Sequence, residues 1–307
     1  MRQITHLVKR FGNLVAVDDL SLEIQQGEML GFLGPNGAGK TTVIRMLCGL
    51  LYNDGGEILW KDHSDNLSKS IGFCPQENIY WPRLTSREQL VFMGKMYGLD
   101  SREANHHAGE LLNSLGFDLK QNVLAEKLSG GMKRRLNIAR ALIHDPPVVI
   151  LDEPEAGLDP QSRILVRELI KSLAIKKTVI LATHNMDEAE RLTDRVAILD
   201  QGKLLKLETV EKLKKSMGVG DLLEISLINQ PPNDKAIQQI RDTLSTICET
   251  VTFLQDRLQI RSKDVLETIP NITTILKQYQ LEISEIQLRK NTLEDVFIQL
   301  TGRGLRD

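Results

Sequence analysis

Short apolar runs alternate with longer amphipathic stretches over the first 210 residues, a pattern typical of α/β proteins. Met29–Leu33, Val148–Leu151 and Val179–Ala182 are apolar throughout, which predicts strands buried on both faces of a sheet. Gln3–Phe11 and Val15–Ile24 mix apolar with polar positions and predict an antiparallel sheet at the edge of the domain. The N-terminal part is therefore predicted to be an α/β domain.

Helical spacing replaces this pattern between Pro82 and Asn122. Apolar residues recur there at helical intervals: Leu90, Met93 and Tyr97, then Leu111, Leu112 and Leu115. This stretch predicts a helical insertion in the α/β core. Further along, Val196–Leu199 and Lys203–Leu207 flank a turn-forming Asp-Gln-Gly segment, which predicts a hairpin near the end of the domain.

The last third of the chain has an element order of its own, which predicts a second domain. The pattern gives a strand, a helix, two strands, a helix and a strand: Leu222–Ile228, Asp234–Leu244, Thr250–Leu254, Leu258–Arg261, Asp264–Tyr279 and Leu281–Leu288. This β-α-β-β-α-β order is that of a small ferredoxin-like α+β fold. Pro270 is expected to bend or interrupt the second helix, and a final helix is expected over Leu293–Leu300.

A glycine-containing segment, Gly218–Gly220, follows a lysine-rich helix and indicates a linker. We therefore predict two domains, residues 1–217 and 218–307, with a helical subdomain at about 82–145 in the first. Residues 221–307 contain no phosphate-loop, metal-ligand or triad pattern. The C-terminal domain is thus expected to regulate the protein or stabilise a dimer.

Composition narrows the class of protein. The 307 residues are 41% hydrophobic and 26% charged, which fits a globular protein of two domains. The 39 basic and 41 acidic residues leave a net charge of -2, which argues against a nucleic-acid partner. Three scattered cysteines form no C-x-x-C pair and favour the reducing cytoplasm. No uncharged apolar run approaches the roughly 18 residues of a membrane span, so a membrane role requires a partner.

A phosphate-binding loop follows the first buried strand. The pattern G-x-x-x-x-G-K-[ST] is met by Gly34, Pro35, Asn36, Gly37, Ala38, Gly39, Lys40 and Thr41. Glycines let backbone N–H groups surround a phosphate chain, and the following helix adds its dipole. We expect Lys40 to reach the β- and γ-phosphates, Thr41 to ligate Mg²⁺ and Thr42 to add a phosphate contact. A glycine turn before a core helix is the alternative, which the strand-loop-helix context disfavours.

Two carboxylates end the strand Val148–Leu151. A buried strand would deliver Asp152 beside the phosphate loop, where it can hold Mg²⁺ through water. Glu153 would then lie where it can polarise an attacking water. Taken alone, an Asp-Glu-Pro helix start would also explain these residues. The phosphate loop in the same domain favours the catalytic interpretation.

A second anion site is predicted at Ser129, Gly130 and Gly131, which precede the helical run Lys133–Ile143. A serine followed by two glycines at a helix N-terminus presents backbone donors to an anion. A plain helix N-cap would also fit this segment taken alone. Two anion sites in one nucleotide-binding domain indicate that two chains share each nucleotide.

Together these motifs resemble those of ATP-binding-cassette (ABC) ATPases over about residues 1–215, with the serine–glycine segment as the family signature. The resemblance implies an ABC-type P-loop NTPase fold. Phe11 is similar to the aromatic that stacks on adenine, and Gln76 to the glutamine that senses Mg²⁺ and the attacking water. Asp159 is similar to a residue of the loop that crosses the dimer interface, and His184 to the switch histidine at the γ-phosphate. A core aromatic, a loop glutamine and a structural histidine are the plainer alternatives.

The resemblance also implies cofactors and partners. ATP and Mg²⁺ would be bound in a homodimer that sandwiches the nucleotide, attached to the inner face of the membrane through a separate permease. Leu84–Glu88, Gly131–Arg135 and Thr292–Phe297 are similar to segments of daunorubicin-resistance-type ATPases, as is the closing Leu300–Arg303. Those ATPases pair with a separately encoded membrane subunit. This similarity predicts export of a drug-like or lipid-like molecule from the cytoplasm.

Two residues depart from the family pattern. Met132 stands where many relatives carry glutamine, which should alter contacts of the helix face more than phosphate binding. Glu155 stands where a small hydroxyl residue is usual. It adds negative charge near Glu153 and bears on the pKa of that carboxyl.

A soluble ABC ATPase that acts on ribosomes or DNA is the alternative function. Such proteins usually carry two cassettes or a long coiled-coil insertion, whereas this chain has one cassette and a compact insertion. A small-molecule kinase is disfavoured because the signature segment has no role in a monomeric kinase.

An apolar and aromatic cluster, Ile79–Pro82 with Leu84, begins three residues after Gln76. Aromatic residues are enriched at the energetic centres of protein interfaces, so the cluster predicts a docking site for the permease. Packing of the helical insertion against the core is the alternative.

Overall fold

The computed structural model describes residues 2–60, 67–117, 119–216, 221–229, 234–254, 257–262 and 265–302. The chain divides between Val210 and Glu211 into two compact units. The predicted boundary between residues 217 and 218 lies outside the described residues, together with the Gly218–Gly220 linker. That boundary stays a prediction.

The N-terminal unit alternates strands and helices. In chain order its elements are β1 (Arg2–Phe11), β2 (Leu14–Ile24), β3 (Met29–Leu33), α1 (Lys40–Leu47), β4 (Gly55–Trp60), α2 (Leu67–Ser70), β5 (Ile71–Cys74), α3 (Ser86–Met96), α4 (Ser101–Ser114), α5 (Gly130–Leu142), β6 (Val148–Asp152), α6 (Pro160–Ala174), β7 (Thr178–Thr183), α7 (Met186–Leu192), β8 (Arg195–Asp200) and β9 (Lys203–Thr209). A further helix, α8 (Val210–Lys215), follows at the junction with the second unit.

The larger sheet has the strand order β5-β6-β7-β3-β8-β9. Its first five strands run parallel, and β9 pairs with β8 in the antiparallel hairpin that the sequence predicts. Every residue of β3, β6 and β7 is buried, as expected for strands with helices on both faces. Because parallel strands end on the same side, the loops after β5, β6, β7 and β3 meet at one edge.

The smaller sheet is antiparallel with the order β2-β1-β4. It confirms the predicted edge sheet and adds β4, which the sequence analysis did not identify. Gly56 in β4 has a φ of +75°, and a Cβ there would lie 2.2 Å from the carbonyl oxygen of His6. Only glycine permits this close approach of two strands.

The helical insertion contains α3, α4 and α5 with a short 3-10 helix, Ala125–Lys127. Capping boxes start two of the helices, one between Thr85 and Glu88 and one between Asp100 and Glu103. The insertion has its own apolar core, which includes Leu90, Leu112, Leu115, Phe117 and Leu136. The predicted helical insertion is thus confirmed.

The C-terminal unit has the predicted element order: β10 (Asp221–Leu227), α9 (Asp234–Leu244), β11 (Thr250–Leu254), β12 (Arg257–Ser262), α10 (Val265–Gln278), β13 (Ile283–Arg289) and α11 (Leu293–Thr301). The antiparallel sheet order β11-β12-β10-β13 is that of a ferredoxin-like domain. Leu223 pairs with Ile260 and Ile225 with Leu258, which places these apolar side chains in the core beneath the helices.

Pro270 lies inside α10, which runs through it without a break. The sequence predicts that Pro270 bends or interrupts the helix, and the interruption is wrong. Pro270 is the sixth residue of α10 and cannot donate an N–H to the carbonyl of Leu266, one turn earlier. Leu266 is exposed, so solvent can reach the backbone there.

Candidate nucleotide-binding site

Four loops converge at the carboxyl edge of the parallel sheet. They carry Gln76 after β5, Asp152 and Glu153 at the end of β6, His184 after β7, and the phosphate loop after β3. Ligands of open α/β sheets bind at this edge, because the strand ends leave room for loops of different length. The strand order thus assembles residues from four separate sequence motifs.

A cavity of about 740 Å³ lies at this edge, within the usual size range of small-molecule sites. The phosphate loop contributes Asn36 to Thr42, and Gln76, Asp152 and Glu153 line the adjoining wall. Phe11 borders the cavity with about half of its surface exposed, as an aromatic that stacks on a base requires. Among the predicted nucleotide contacts, Phe11 and residues 36–42 therefore line one cavity, whereas Gly34 and Pro35 are not part of its lining.

The phosphate loop is shaped by glycine. Gly39 has a φ of +98°, and a Cβ there would lie 2.5 Å from the carbonyl oxygen of Ala16. Lys40 is 6% exposed and donates hydrogen bonds to the carbonyls of Gly34, at 2.6 Å, and Pro35, at 2.9 Å. Burial lowers the pKa of Lys40, while Glu153 and Asp152 oppose that shift. The ammonium group is thus held on the concave side of the loop.

Asp152 is the best candidate for a metal ligand. It is 1% exposed, and its Oδ2 accepts a hydrogen bond of 2.8 Å from the Thr41 hydroxyl. Its Oδ1 is buried without a hydrogen-bond partner among the described residues. Burial raises the pKa of Asp152, with the Thr41 hydrogen bond opposing. A cation would stabilise this buried carboxylate, so the donor set suits Mg²⁺.

Glu153 and His184 form a pair beside the phosphate loop. One carboxylate oxygen of Glu153 accepts the backbone N–H of His184 at 2.9 Å and lies 2.7 Å from its Nδ1. Glu153 is 5% exposed, whereas the His184 side chain is half exposed. The arrangement orients the imidazole and leaves its other edge free to meet a phosphate.

Comparisons with known proteins show the family of the chain. Residues 17–156 match the profile of the ABC transporter family. The chain is 37% identical to the linearmycin resistance ATP-binding protein LnrL of Bacillus subtilis, over 100% of both chains. It is 35% identical to the Nod factor export ATP-binding protein I of Ralstonia nicotianae, over 98% of this chain and 94% of the relative. The chain belongs to the ABC transporter ATP-binding proteins.

Solved structures support the same assignment. An ATP-binding subunit of an ABC transporter is 26% identical with a TM-score of 0.65, covering 71% of this chain and 93% of that one. The dimeric cassette MJ0796, bound to ADP and Pi in a post-hydrolysis state, is 27% identical with a TM-score of 0.62, covering 68% and 98%. The resemblance drawn from the motifs is confirmed, and this ABC ATPase is an ATP hydrolase.

The signature residues of this ABC ATPase lie apart from the cavity. Ser129 is the N-cap of α5, and its hydroxyl accepts the N–H of Met132 at 3.3 Å. Asp159 caps α6 through Ser162, and a Cβ on Gly131 would lie 3.2 Å from its carboxylate. Neither Ser129, Gly130, Gly131 nor Asp159 lines the cavity that holds the phosphate loop.

The cavity of the ABC ATPase includes residues that the sequence analysis missed. Leu14, Val15 and Ala16 line it from β2, and Gln201 lines it from the β8–β9 turn. The turn itself is predicted from its Asp-Gln-Gly composition. Nothing in the sequence connects it to the phosphate loop, because the contact arises only when β8 pairs beside β3.

Within the described residues, no helix has the length and apolar character needed to cross a membrane.

Proposed function

We propose that two copies of this ABC ATPase close around two ATP·Mg²⁺ and drive export of a drug-like or lipid-like molecule through a separate membrane subunit. The pairing of Glu153 with His184 beside the phosphate loop carries the catalytic part of the proposal. The relatives named for linearmycin resistance and Nod factor export support the transport part, since one name refers to export and the other to resistance against a small molecule.

Thr41, Asp152 and Gln76 would hold the Mg²⁺ together with the ATP phosphates. Magnesium usually binds through one or two protein oxygens plus phosphate oxygens and water, not through a complete protein cage. This fits the described residues, in which no group of three or more His, Cys, Asp and Glu side chains could hold a metal. When bound, Mg²⁺ would neutralise charge on the β- and γ-phosphates.

Catalysis would rest on positioning and electrostatics. The phosphate-loop N–H groups and Lys40 bind the phosphates and spread the charge that develops on the γ-phosphoryl group. Glu153 accepts a hydrogen bond from the attacking water and orients it in line with the bond that breaks. His184, held by Glu153, would contact the γ-phosphate. Gln76 contacts both the metal site and the water.

Each ATP would be shared between chains. The phosphate loop lies in the cavity, whereas Ser129 and Gly130 are exposed outside it. Exposed backbone donors at the start of α5 suit a phosphate presented by a partner. Asp159, exposed beside Gly131, would lie in the same interface. The dimeric cassette MJ0796 provides a solved precedent for such an assembly.

The permease would dock in a groove between the α/β core and the helical insertion. This cavity of about 490 Å³ is lined by Leu50, Ile79, Met93, Tyr97 and Arg140, among others, and shares Thr41, Gln76 and Asp152 with the nucleotide cavity. Leu50 and Ile79 are 65% and 52% exposed. A partner seated here would contact the segment that also reaches the ATP.

The aromatic pair of the cluster has a second role. Trp81 packs edge-on against Phe92 at 5.3 Å and beneath the guanidinium of Arg140 at 4.7 Å, while Tyr80 lies 4.9 Å from the Lys133 ammonium. These contacts fit the packing alternative for Tyr80 and Trp81. Ile79 and Leu50 are the stronger candidates for the docking contact, because they lack such a share of internal packing.

We place the protein in the cytoplasm, attached to the inner face of the membrane through the permease. The test is co-expression with and without a candidate membrane subunit. We expect the ATPase to purify with that subunit and to support ATP-dependent efflux from reconstituted vesicles. Sedimentation with ribosomes or DNA, with no membrane association, would support the alternative function instead.

A further inference from the structure

Arg134 lies in the first turns of α5 and is 2% exposed, so its charged group is buried away from solvent. A guanidinium group has five N–H donors, and this one makes five hydrogen bonds. All five acceptors are backbone carbonyls: Pro75, Gln76, Asp152, Glu153 and Pro154, at 2.5 to 3.3 Å. Every donor of a fully buried arginine is thus directed to the loops that follow β5 and β6.

We propose that Arg134 is a positioning residue that sets the geometry of Gln76 and Glu153 together. Nη1 donates to the carbonyls of Pro75 and Gln76, and Nη2 donates to those of Asp152 and Glu153. The planar fork therefore joins the loop of the sensor glutamine to the loop of the catalytic carboxylate. This inference rests on the roles proposed above for those two residues.

The conformation of Glu153 shows why such a clamp is needed. Its φ is +52°, in the left-handed region that a residue with a side chain adopts only under constraint. Its N–H donates to the carbonyl of Ala182 at 2.8 Å, and Arg134 binds its carbonyl on the other side. Fixing both backbone groups turns the side chain toward His184. Without the arginine, the carbonyl of this strained residue would keep only the hydrogen bond from the N–H of Ala156, at 3.1 Å.

The chemistry of the site requires arginine in particular. Burying a charge without full hydrogen bonding is costly, and here the five carbonyl dipoles satisfy it. Lysine has one nitrogen with three donors and cannot span two loops in a plane. A neutral apolar side chain would leave several buried carbonyls without a donor.

The position on α5 adds a mechanical consequence. The same helix begins at the signature serine and continues to Asn137, whose amide donates to the carbonyls of Pro75 and Glu77. Arg134 and Asn137 lie one turn apart, and both donate hydrogen bonds to the loop after β5. A displacement of α5, for example when the signature contacts a partner's nucleotide, therefore moves Gln76 and Glu153 as well.

The test is the steady-state kinetics of Arg134→Met and Arg134→Lys together with ATP binding by titration calorimetry. Arg134 does not line the nucleotide cavity, so we expect both variants to keep the same affinity for ATP measured without Mg²⁺. We expect kcat to fall about 100-fold, the usual scale for displacing catalytic groups by about 1 Å. If Arg134 only stabilised the fold, its replacement would not lower kcat while leaving the ATP affinity of the folded molecules unchanged.

Arg135→Met is the matched control. Arg135 is the next residue of α5 and is also buried, but its guanidinium binds the carbonyl of Leu115 and lies over the Phe117 ring in the helical insertion. Its loss removes a buried charge without touching either catalytic loop. We expect a lower melting temperature and an unchanged kcat per folded molecule.

Three outcomes would overturn the inference. They are a folded Arg134→Lys with parental kcat, a parallel loss of kcat and ATP affinity, and failure of both Arg134 variants to fold while Arg135→Met folds. Glu153→Gln, measured in the same series, separates this inference from the proposed function. If Glu153→Gln keeps its turnover, the catalytic role of Glu153 is wrong, whatever the Arg134 variants show.

Discussion

Glu155 is an acidic residue in a place where its family usually has a small hydroxyl, and its charge is balanced locally. It is 4% exposed, and its carboxylate accepts two hydrogen bonds from Arg167, at 2.5 and 2.8 Å, with Arg163 at 3.5 Å. The hydrogen bond raises the pKa of Arg167, so this guanidinium stays charged. The sequence shows the additional acidic residue near Glu153 but not its counter-charge. Both arginines belong to α6, and only the folded structure places them against Glu155.

Glu188, close to Glu155 and Glu153, is a buried carboxyl with a raised pKa. Its carboxyl is 1% exposed and accepts a hydrogen bond of 2.6 Å from the Thr183 hydroxyl, while its Oε1 has no partner among the described residues. Burial raises the pKa of Glu188 to about 8, with the negative charges of Glu155 and Glu153 adding to the shift and Arg167 opposing it. The folded state therefore binds a proton that the unfolded state releases near pH 4.5.

Glu188→Gln should change how stability depends on pH. In the parent protein, the contribution of Glu188 is fully favourable below pH 4.5 and is lost as the pH rises toward 8, because the folded-state pKa is the higher one. The neutral amide has no such loss. We therefore expect the melting temperature of the variant, relative to the parent, to increase between pH 5 and 8, as measured by thermal unfolding in a buffer series. Exposed Glu168→Gln is the control, and an equal pH profile for both variants would contradict the assignment.

At the scale of elements, the sequence predicts best where one pattern decides the structure. The buried strands β3, β6 and β7 and the β8–β9 hairpin appear as predicted, since an apolar run or a turn signal identifies each. The strand β4 was missed because Gly55 and Gly56 weaken its pattern and its pairing with β1 lies far away in sequence. Pro270 was expected to bend or interrupt a helix, and α10 is not interrupted, because its packing outweighs that local preference.

The docking groove gives a prediction about the helical insertion. Ile79→Glu and Leu50→Glu should each greatly reduce co-purification with the membrane subunit, because a charge would be buried at the centre of the interface. The ATPase activity of the isolated subunit should persist, since neither side chain touches the nucleotide cavity. Ile175→Glu is the control, as Ile175 is 81% exposed at the end of α6 and lies outside the groove.

Tyr80→Ala with Trp81→Ala separates docking from packing. If the pair contacts the permease, each alanine should cost roughly 2 kcal/mol or more of binding free energy, so that co-purification is lost. The ATPase activity of the soluble subunit should survive. If the pair only packs the insertion, the double variant loses both activities and melts at a lower temperature. The contacts of Trp81 with Phe92 and Arg140 lead us to expect some loss of stability beside the loss of docking. Intact co-purification would contradict the docking role.

At the scale of the whole molecule, each unit has a hydrophobic core of its own. The C-terminal core includes Leu223, Ile225, Leu258, Ile260 and Leu276, all buried within the second unit. The nucleotide cavity is formed by residues of the first unit alone. We therefore expect that ATP binding and hydrolysis do not require the C-terminal unit.

Truncation after residue 220 tests that independence. We expect the shortened protein to fold and to bind ATP with parental affinity, because it keeps every cavity residue and both N-terminal sheets. Dimerisation or coupled transport should weaken, in line with the proposed regulatory or dimer-stabilising role. Calorimetric ATP binding together with sedimentation analysis measures both. A folded truncated protein without ATP binding would contradict the assignment.

The candidate site was predictable as far as its motifs are local. The phosphate loop, Asp152 with Glu153, and Ser129 to Gly131 each occupy one short segment, and each has a chemical reason visible in the sequence. Arg134 and Gln201 were not predictable, because their roles depend on backbone atoms that only the strand order brings near. Asp159 and His184 were identified through the family resemblance and not through any pattern of their own.

The proposed function requires that two chains share each ATP and that Glu153 activates the water. Its most direct test is the oligomeric state and turnover of Glu153→Gln, by light scattering and a phosphate-release assay with ATP·Mg²⁺. The amide keeps the shape of the side chain but is not a base, so turnover should fall by roughly 10²–10⁴-fold with ATP binding retained. Unhydrolysed ATP should then hold two chains together, and the dimer should disappear when ATP is removed. An ATP-loaded variant that stays monomeric, or one that keeps parental turnover, would contradict the account.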